Sequence, residues 1–335
     1  MKILFVHNAL RSFVRLDLEI LRSEHEVREI KFAPNAHGVR DVAQSVSWCD
    51  LVFGWWASWH MLLPAFLAGK RGKAVIVVGG DYDVIYDPFG RTPYRLLLDR
   101  LRQGLGRLMF RWIDWFVTFS QFSRAEALRL PYVDPNRTLC IRLGLPDLAA
   151  GRRLAKTDTV LTVGTVSRYE ILRKGLGTFV KASALLPHYE FKLTGIWQDD
   201  AIRTLRHWND RNITYTGCVP DSELFREMSE AKVYVQASHH EGFGMALAEA
   251  MLFQCAPVVT DRGSLPEVVG DTGLYVAYDD PIGTAAAIEE ACRRQSELGP
   301  RARARVLSLF PLERRKQQLL SLVDSMRAQH PGPRA

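Results

Sequence analysis

The segment Lys232–Glu249, KVYVQASHHEGFGMALAE, holds the densest set of residues suited to chemistry. An apolar run ends near Ala237, a polar loop with two glycines follows, and the pattern predicts a helix from about Gly244. Gly242 and Gly244 permit close backbone approach, and the free N–H groups of a first helical turn favour negative oxygens. A phosphate or pyrophosphate suits that position. Glu241 and Glu249 flank it, and an ionised carboxylate accepts from two O–H donors at once, which suits a hydroxyl-rich partner. Were the stretch helical throughout, the two carboxylates would stand ~12 Å apart along the axis and ~80° apart in rotation. The competing reading is a capping glutamate before a helix and a solvent-facing one within it.

Other constellations carry less. Asp81 and Asp83 form a D-x-D after the apolar run Ala74–Val78; the readings are a metal pair, a polar turn, or a pair facing an acceptor. Gly242-x-Gly244 with Asp261 partly imitates a dinucleotide fingerprint, but Leu247 stands where the third glycine belongs. His239 and His240 are adjacent and lack metal-ligand spacing. Five cysteines lie scattered with no C-x-x-C pair, which argues against zinc or a disulfide framework and for a reducing compartment. No metal site is assigned.

These residues need elements to hold them. Short apolar, β-branched runs recur between helical stretches: Lys2–Val6, Glu26–Phe32, Leu51–Phe53, Ala74–Val78, Trp115–Phe119 and Thr138–Ile141, then Val160–Val166, Glu190–Gly195, Asn212–Gly217, Lys232–Ala237, Cys255–Thr260 and Leu274–Val276. Such runs are the pattern of parallel strands buried on both faces. Two sets separated by the polar stretch Pro146–Thr159 predict an α/β chain of two doubly wound, Rossmann-like domains facing a cleft. The expected limits are 1–148 for the first domain and 149–308 for the second, with a C-terminal helix over 309–330 packing back on the first. Terminal helices are expected over Arg301–Phe310 and Leu312–Ala328, after Pro300.

Composition narrows the function classes. A chain of 335 residues, 47% hydrophobic and 24% charged, is a cored protein of two-domain size. A net charge of +7 suits anionic small molecules or an anionic membrane face and falls short of a nucleic-acid signature. The stretch Leu51–Gly69 lacks Asp, Glu, Lys and Arg over 19 residues, yet Gly54, Ser58, His60 and Pro64 make it a strand, a turn and a helix. The N-terminal residues do not fit a signal peptide. Tyr94, Leu97, Leu98, Leu101, Leu105, Leu108 and Trp112 recur at helical spacing among arginines. That segment reads as a core-packed helix or as a basic amphipathic surface for an anionic bilayer.

Glu241-Gly-Phe-Gly-Met-Ala-Leu-Ala-Glu249 resembles the E-x7-E signature of family-4 retaining glycosyltransferases with the GT-B fold. Gly164 with Lys174-Gly175, Ile213–Val219 with Asp221–Ala231, Ala256–Val259 and Leu265–Val269 are similar to the elements around it, in order, from about Val160 to Asp280. The resemblance implies that Glu241 meets hydroxyls of the transferred sugar and Glu249 those of the ribose. It implies that the backbone of Gly242, Phe243, Gly244 and Met245 meets sugar and phosphates, and Lys174 the diphosphate. Gly217–Val219 would line the base pocket. The arginine usual after the first glycine is Thr165 here, so Arg168 or Arg173 would serve as the second phosphate cation. The glycine-rich loop usual after the first strand is missing from His7–Arg15.

The function so implied is metal-independent, retaining transfer of a sugar from a nucleoside-diphosphate donor to an acceptor hydroxyl, with no cofactor. Glu241, Lys174 and Arg168 would be the catalytic set, and Asp81 and Asp83 would face the acceptor. The expected partners are a nucleotide sugar and a glycan or lipid-linked acceptor, with no nucleic acid. The expected location is cytoplasmic, with peripheral contact at the inner membrane face if the amphipathic segment reads that way. The alternatives are a GT-B epimerase or phosphorylase, and a non-catalytic nucleotide-sugar-binding protein.

Overall fold

The computed structural model describes residues 1–33, 35–80, 104–152 and 154–329. It divides into two units, one of Met1–Gly144 together with the chain from Leu312 onward, the other of Leu145–Pro311.

The first unit carries a six-stranded parallel sheet: β1 (Lys2–His7), β2 (Glu26–Lys31), β3 (Leu51–Trp55), β4 (Ala74–Gly79), β5 (Trp115–Thr118) and β6 (Thr138–Cys140), in the order β2-β1-β3-β4-β5-β6. Every residue of β3 and β4 is buried, which is why those strands are apolar without alternation. Leu4, Val52, Val75 and Phe116 pack against Val42 and Val46 of the helix Ala36–Trp48 and Ala65 and Ala68 of the helix Leu62–Lys70. The uncharged stretch Leu51–Gly69 is thus strand, 3-10 turn and helix, and no described helix is long and apolar enough to cross a membrane.

The C-terminal helix Leu312–Gln329 is fastened to this unit by a buried ion pair. Arg315 Nε and Nη2 each donate to the Asp17 carboxylate at 2.6 Å, and Nη1 donates to the carbonyls of Ile141 and Arg142 at 2.8 and 3.1 Å. Trp55 Nε1 donates to the same carboxylate at 3.0 Å. The preceding helix runs Gln295–Leu309 and holds Pro300 inside it, so it starts earlier than the proline suggests. Placed in the second turn, the proline removes one ladder bond near an end that is already short of partners.

The second unit repeats the plan with β7 (Thr157–Val163), β8 (Glu190–Thr194), β9 (Ile213–Gly217), β10 (Ala231–Gln236), β11 (Ala256–Thr260) and β12 (Leu274–Val276), in the order β12-β11-β10-β7-β8-β9. The strand β7 takes up the last residues of the stretch read as a linker. The chain winds outward from β7 through β8 to β9, then returns to the other side of β7 as β10. The strand order therefore reverses between β7 and β10. In open parallel sheets that reversal leaves a crevice beyond the carboxyl ends, where ligands bind.

Asp81, Asp83, Tyr94, Leu97, Leu98 and Leu101 lie outside the described residues. Leu105 and Leu108 are exposed, whereas Trp112 packs edge-on against Phe66 with ring centroids 5.7 Å apart.

Candidate active site at the switch of the second sheet

Residues from both sides of the β7–β10 reversal meet at Glu241. On the β10 side, Tyr234 and Gln236 share one face of the strand because side chains alternate. Tyr234 donates to Gln236 Oε1 at 3.1 Å, and Gln236 Nε2 donates to Ser238 Oγ at 2.8 Å and to Glu241 Oε2 at 3.0 Å. On the β7 side, Lys174 Nζ reaches the same oxygen at 3.4 Å. Ser238 Oγ donates to it at 3.4 Å. Among the described residues Glu241 Oε1 takes no hydrogen bond, so a carboxylate held from one side keeps one oxygen for a ligand. Burial pushes this carboxyl upward, but Lys174 and Arg173 outweigh it and hold Glu241 below its ordinary range.

Glu241 belongs to a loop, not to the helix. The helix is Met245–Leu252, with Gly244 at its N-cap at φ 88° and no side-chain cap. The helical spacing between Glu241 and Glu249 therefore does not apply. Ser264 fixes the loop, donating to the Glu241 carbonyl through both N and Oγ at 3.0 Å. Phe243 is buried and meets Phe310 edge-on at 5.2 Å, so its side chain anchors the loop.

The Arg173-Lys174-Gly175 run is a helix end. The helix Arg168–Arg173 has Ser167 as N-cap, Lys174 is its C-cap, and Gly175 at φ 63° starts the helix Leu176–Leu185. A Cβ on Gly175 would fall 1.9 Å from the carbonyl oxygen of Ala237, and one on Gly164 would fall 2.9 Å from Lys174 Cδ. These two glycines let the lysine stem lie across the strand end and reach Glu241. Gly175→Ala is expected to cost at least about 2 kcal/mol through clash and left-handed strain. Urea denaturation checks it; a loss below about 0.5 kcal/mol would show that the turn relaxes freely.

The two candidate arginines part here. Arg168 is 77% exposed and paired with Asp200 at 2.8 Å. Arg173 is buried, paired with Glu170 at 2.9 Å, and donates to the His240 carbonyl at 3.3 Å. The arginine that shares the Glu241 loop is Arg173. Burial lowers the His240 imidazole to about 4, so it is neutral at pH 7.

Glu249 is partly buried on the helix Met245–Leu252. Burial, with Asp221 adding a like charge, raises its carboxyl to about 7. Gly217 ends β9 at φ 73°, with Val219 half-buried just beyond. Gln236, Ser238 and Ser264 are the neighbours of Glu241 that the motif reading left out. The one signal for them was Gln236, a polar residue closing an apolar strand. Among the described residues no group of three or more His, Cys, Asp or Glu side chains is placed to hold a metal.

Residues 158–294 match the family model described as Glycosyl transferases group 1. The match lies wholly within the second unit and includes Lys174, Glu241 and Glu249. The chain is 32% identical over 202 residues to the O-antigen chain mannosyltransferase B of Escherichia coli, covering 54% of this chain and 52% of that one. It is 33% identical over 138 residues to a phosphatidyl-myo-inositol mannosyltransferase of Mycolicibacterium smegmatis, covering 39% and 35%. The chain thus spans about half the length of the first relative and about a third of the second. The structure of Anabaena Alr3699/HepE in complex with UDP superposes with a TM-score of 0.78 at 16% identity, covering 97% of this chain and 100% of that one. The architecture of two Rossmann-like units in tandem is that of GT-B proteins.

Proposed function

We propose that this chain is a glycosyltransferase that moves a sugar from a nucleoside diphosphate to an acceptor hydroxyl, with retention of anomeric configuration and without a metal ion. The observation that carries the reading is the Glu241 carboxylate, gripped on Oε2 and open on Oε1, beside Lys174 and an uncapped helix N-terminus at a topological switch. The mannosyltransferase relatives and the UDP complex of the structural neighbour support it.

In this reading Glu241 Oε1 accepts from a hydroxyl of the transferred sugar. The diphosphate lies against the N–H groups that open the helix Met245–Leu252, and Lys174 donates to it. As the bond between C1 and the β-phosphate oxygen breaks, charge grows on that phosphate. Lys174 and the helix N-terminus stabilise the growing charge. The acceptor oxygen bonds to C1 on the same face, and its proton passes to the departing phosphate. Glu249 meets the ribose hydroxyls, Gly217–Val219 line the base pocket, and the acceptor is a glycan or a lipid-linked sugar.

The test is incubation with a panel of UDP- and GDP-sugars and glycoside acceptors, with and without chelator, reading product anomers by NMR. An inverted product, or turnover lost in chelator, would overturn the stereochemical or metal-free part respectively.

Glu249 gives the reading a pH signature. Its folded-state value of about 7 exceeds the ordinary value of 4.5, so between those limits the folded state holds more protons than the unfolded one. Stability therefore falls as pH rises across that window, by roughly 1–3 kcal/mol, and levels off above it. Glu249→Gln is expected to raise Tm relative to wild type at pH 8 and not at pH 4.5. A Tm difference independent of pH would contradict the raised value.

A further inference from the structure

Two neighbouring helices of the first unit join into one outward face that sugar transfer leaves unused. Residues 104–110 are helical, and Met109 and Ile113 turn into the core. Leu105 and Leu108 turn the other way and are 43% and 49% exposed. Trp112, four positions beyond Leu108, lies against the helix Leu62–Lys70. A Cβ on Gly69 would fall 2.2 Å from its Cε3, and Phe66 meets the indole edge-on at 5.7 Å. Phe66 is itself 42% exposed. A single exposed leucine is ordinary on any surface, but here three large apolar side chains stand out from one packed helix pair.

The charge on this face has one sign. Residues 51–80 and 104–113 contain no Asp or Glu. Lys70, Arg107 and Arg111 are exposed, and among the described residues none of them is paired with a carboxylate. The acid that follows, Asp114, is drawn to the sheet, where it accepts from the Val75 N–H at 2.8 Å. Lys70 Nζ stands over the rings of Phe66 and Trp112 at 6.0 and 5.6 Å from their centroids. Its stem therefore covers aromatic surface while its ammonium lies at the edge of the apolar patch.

Unpaired cations around exposed phenylalanine and leucine fit a partner that is anionic at its surface and apolar beneath. A second copy in a two-fold contact would bring the same cations face to face. Anionic headgroups above acyl chains answer both features.

We propose that this face docks the chain on an anionic lipid bilayer. Phe66, Leu105 and Leu108 enter the interface, and Lys70, Arg107 and Arg111 meet the headgroup phosphates. No described helix is long and apolar enough to cross a membrane, so the contact is peripheral. The proposal goes beyond the glycosyl-transfer reading and stands without it.

The test is co-sedimentation of the full chain with vesicles of phosphatidylcholine alone and of phosphatidylcholine with about a third phosphatidylglycerol. Wild type is expected to bind the mixed vesicles and not the neutral ones, and more weakly as salt rises. Each arginine at an anionic surface is worth about fivefold, so R107Q/R111Q should lose about 25-fold in affinity. R203Q/R211Q removes two exposed arginines from the second unit and should stay within about threefold of wild type. L105Q/L108Q should lose at least about tenfold, because its contribution is apolar. All six positions are exposed, so each variant is expected to fold, which circular dichroism checks. Failure of wild type to bind the mixed vesicles would overturn the proposal. Equal losses in the two arginine variants would assign binding to net charge and overturn it, as would unchanged binding by L105Q/L108Q. A dimer in sedimentation velocity that L105Q/L108Q dissolves would give the face to a second copy, with the same consequence. Thermal shifts with UDP and GDP report on the glycosyl-transfer reading separately and should be equal in every variant.

Discussion

Glu241→Gln is expected to lower kcat by about 10²–10³-fold while leaving the fold intact. The amide keeps the volume and one oxygen, so Gln236, Ser238 and the Ser264 contacts to the backbone have little reason to move. Two things change. The ion pair with Lys174 disappears, and the open position no longer accepts from a hydroxyl with a full negative charge. Lys174→Ala should show the complementary loss, because in the proposed reaction its amine supplies charge where the β-phosphate departs. Nucleotide-sugar turnover measures both, and circular dichroism checks the fold. Turnover within about threefold of wild type in both variants would remove the site from the reaction.

Arg315→Ala is expected to cost about 3–5 kcal/mol of stability. Both partners are buried, and the guanidinium satisfies a carboxylate and two carbonyls together. Removing it leaves Asp17 charged in an interior where Trp55 Nε1 is its other donor. The paired replacement Asp17→Leu with Arg315→Met is expected to recover most of the loss, since it leaves no unpaired charge. Chemical denaturation measures the cycle. A single-variant loss below about 1 kcal/mol would show that water reaches the pair.

Much of this molecule was readable before any coordinates. All twelve strands fall on the runs read as strands; β3 and β4 are buried on both faces and have no polar option along their length, whereas the edge strand β2 keeps Glu26, Arg28, Glu29 and Lys31. Gly164, Lys174 and Gly175 were legible as a set through the family resemblance, and their close packing supplies the physical reason. The hidden parts depend on distance in sequence or on local geometry. Asp17 and Arg315 are 298 positions apart, and nothing local marks either as buried. The helix across Pro300 was hidden because proline reads as a boundary in one dimension. Arg168 and Arg173 looked equivalent until the turn at Gly175 placed Arg173 on the Glu241 loop, while Asp199 and Asp200 engage Arg168.

Isothermal titration of UDP and GDP into wild type, Lys174→Ala and Arg168→Ala decides where the diphosphate docks. A nucleoside diphosphate docked against Lys174 and the helix N-terminus should bind Lys174→Ala at least about tenfold more weakly, and Arg168→Ala within about twofold of wild type. Unchanged affinity in Lys174→Ala would contradict the placement of the diphosphate at the switch of the second sheet.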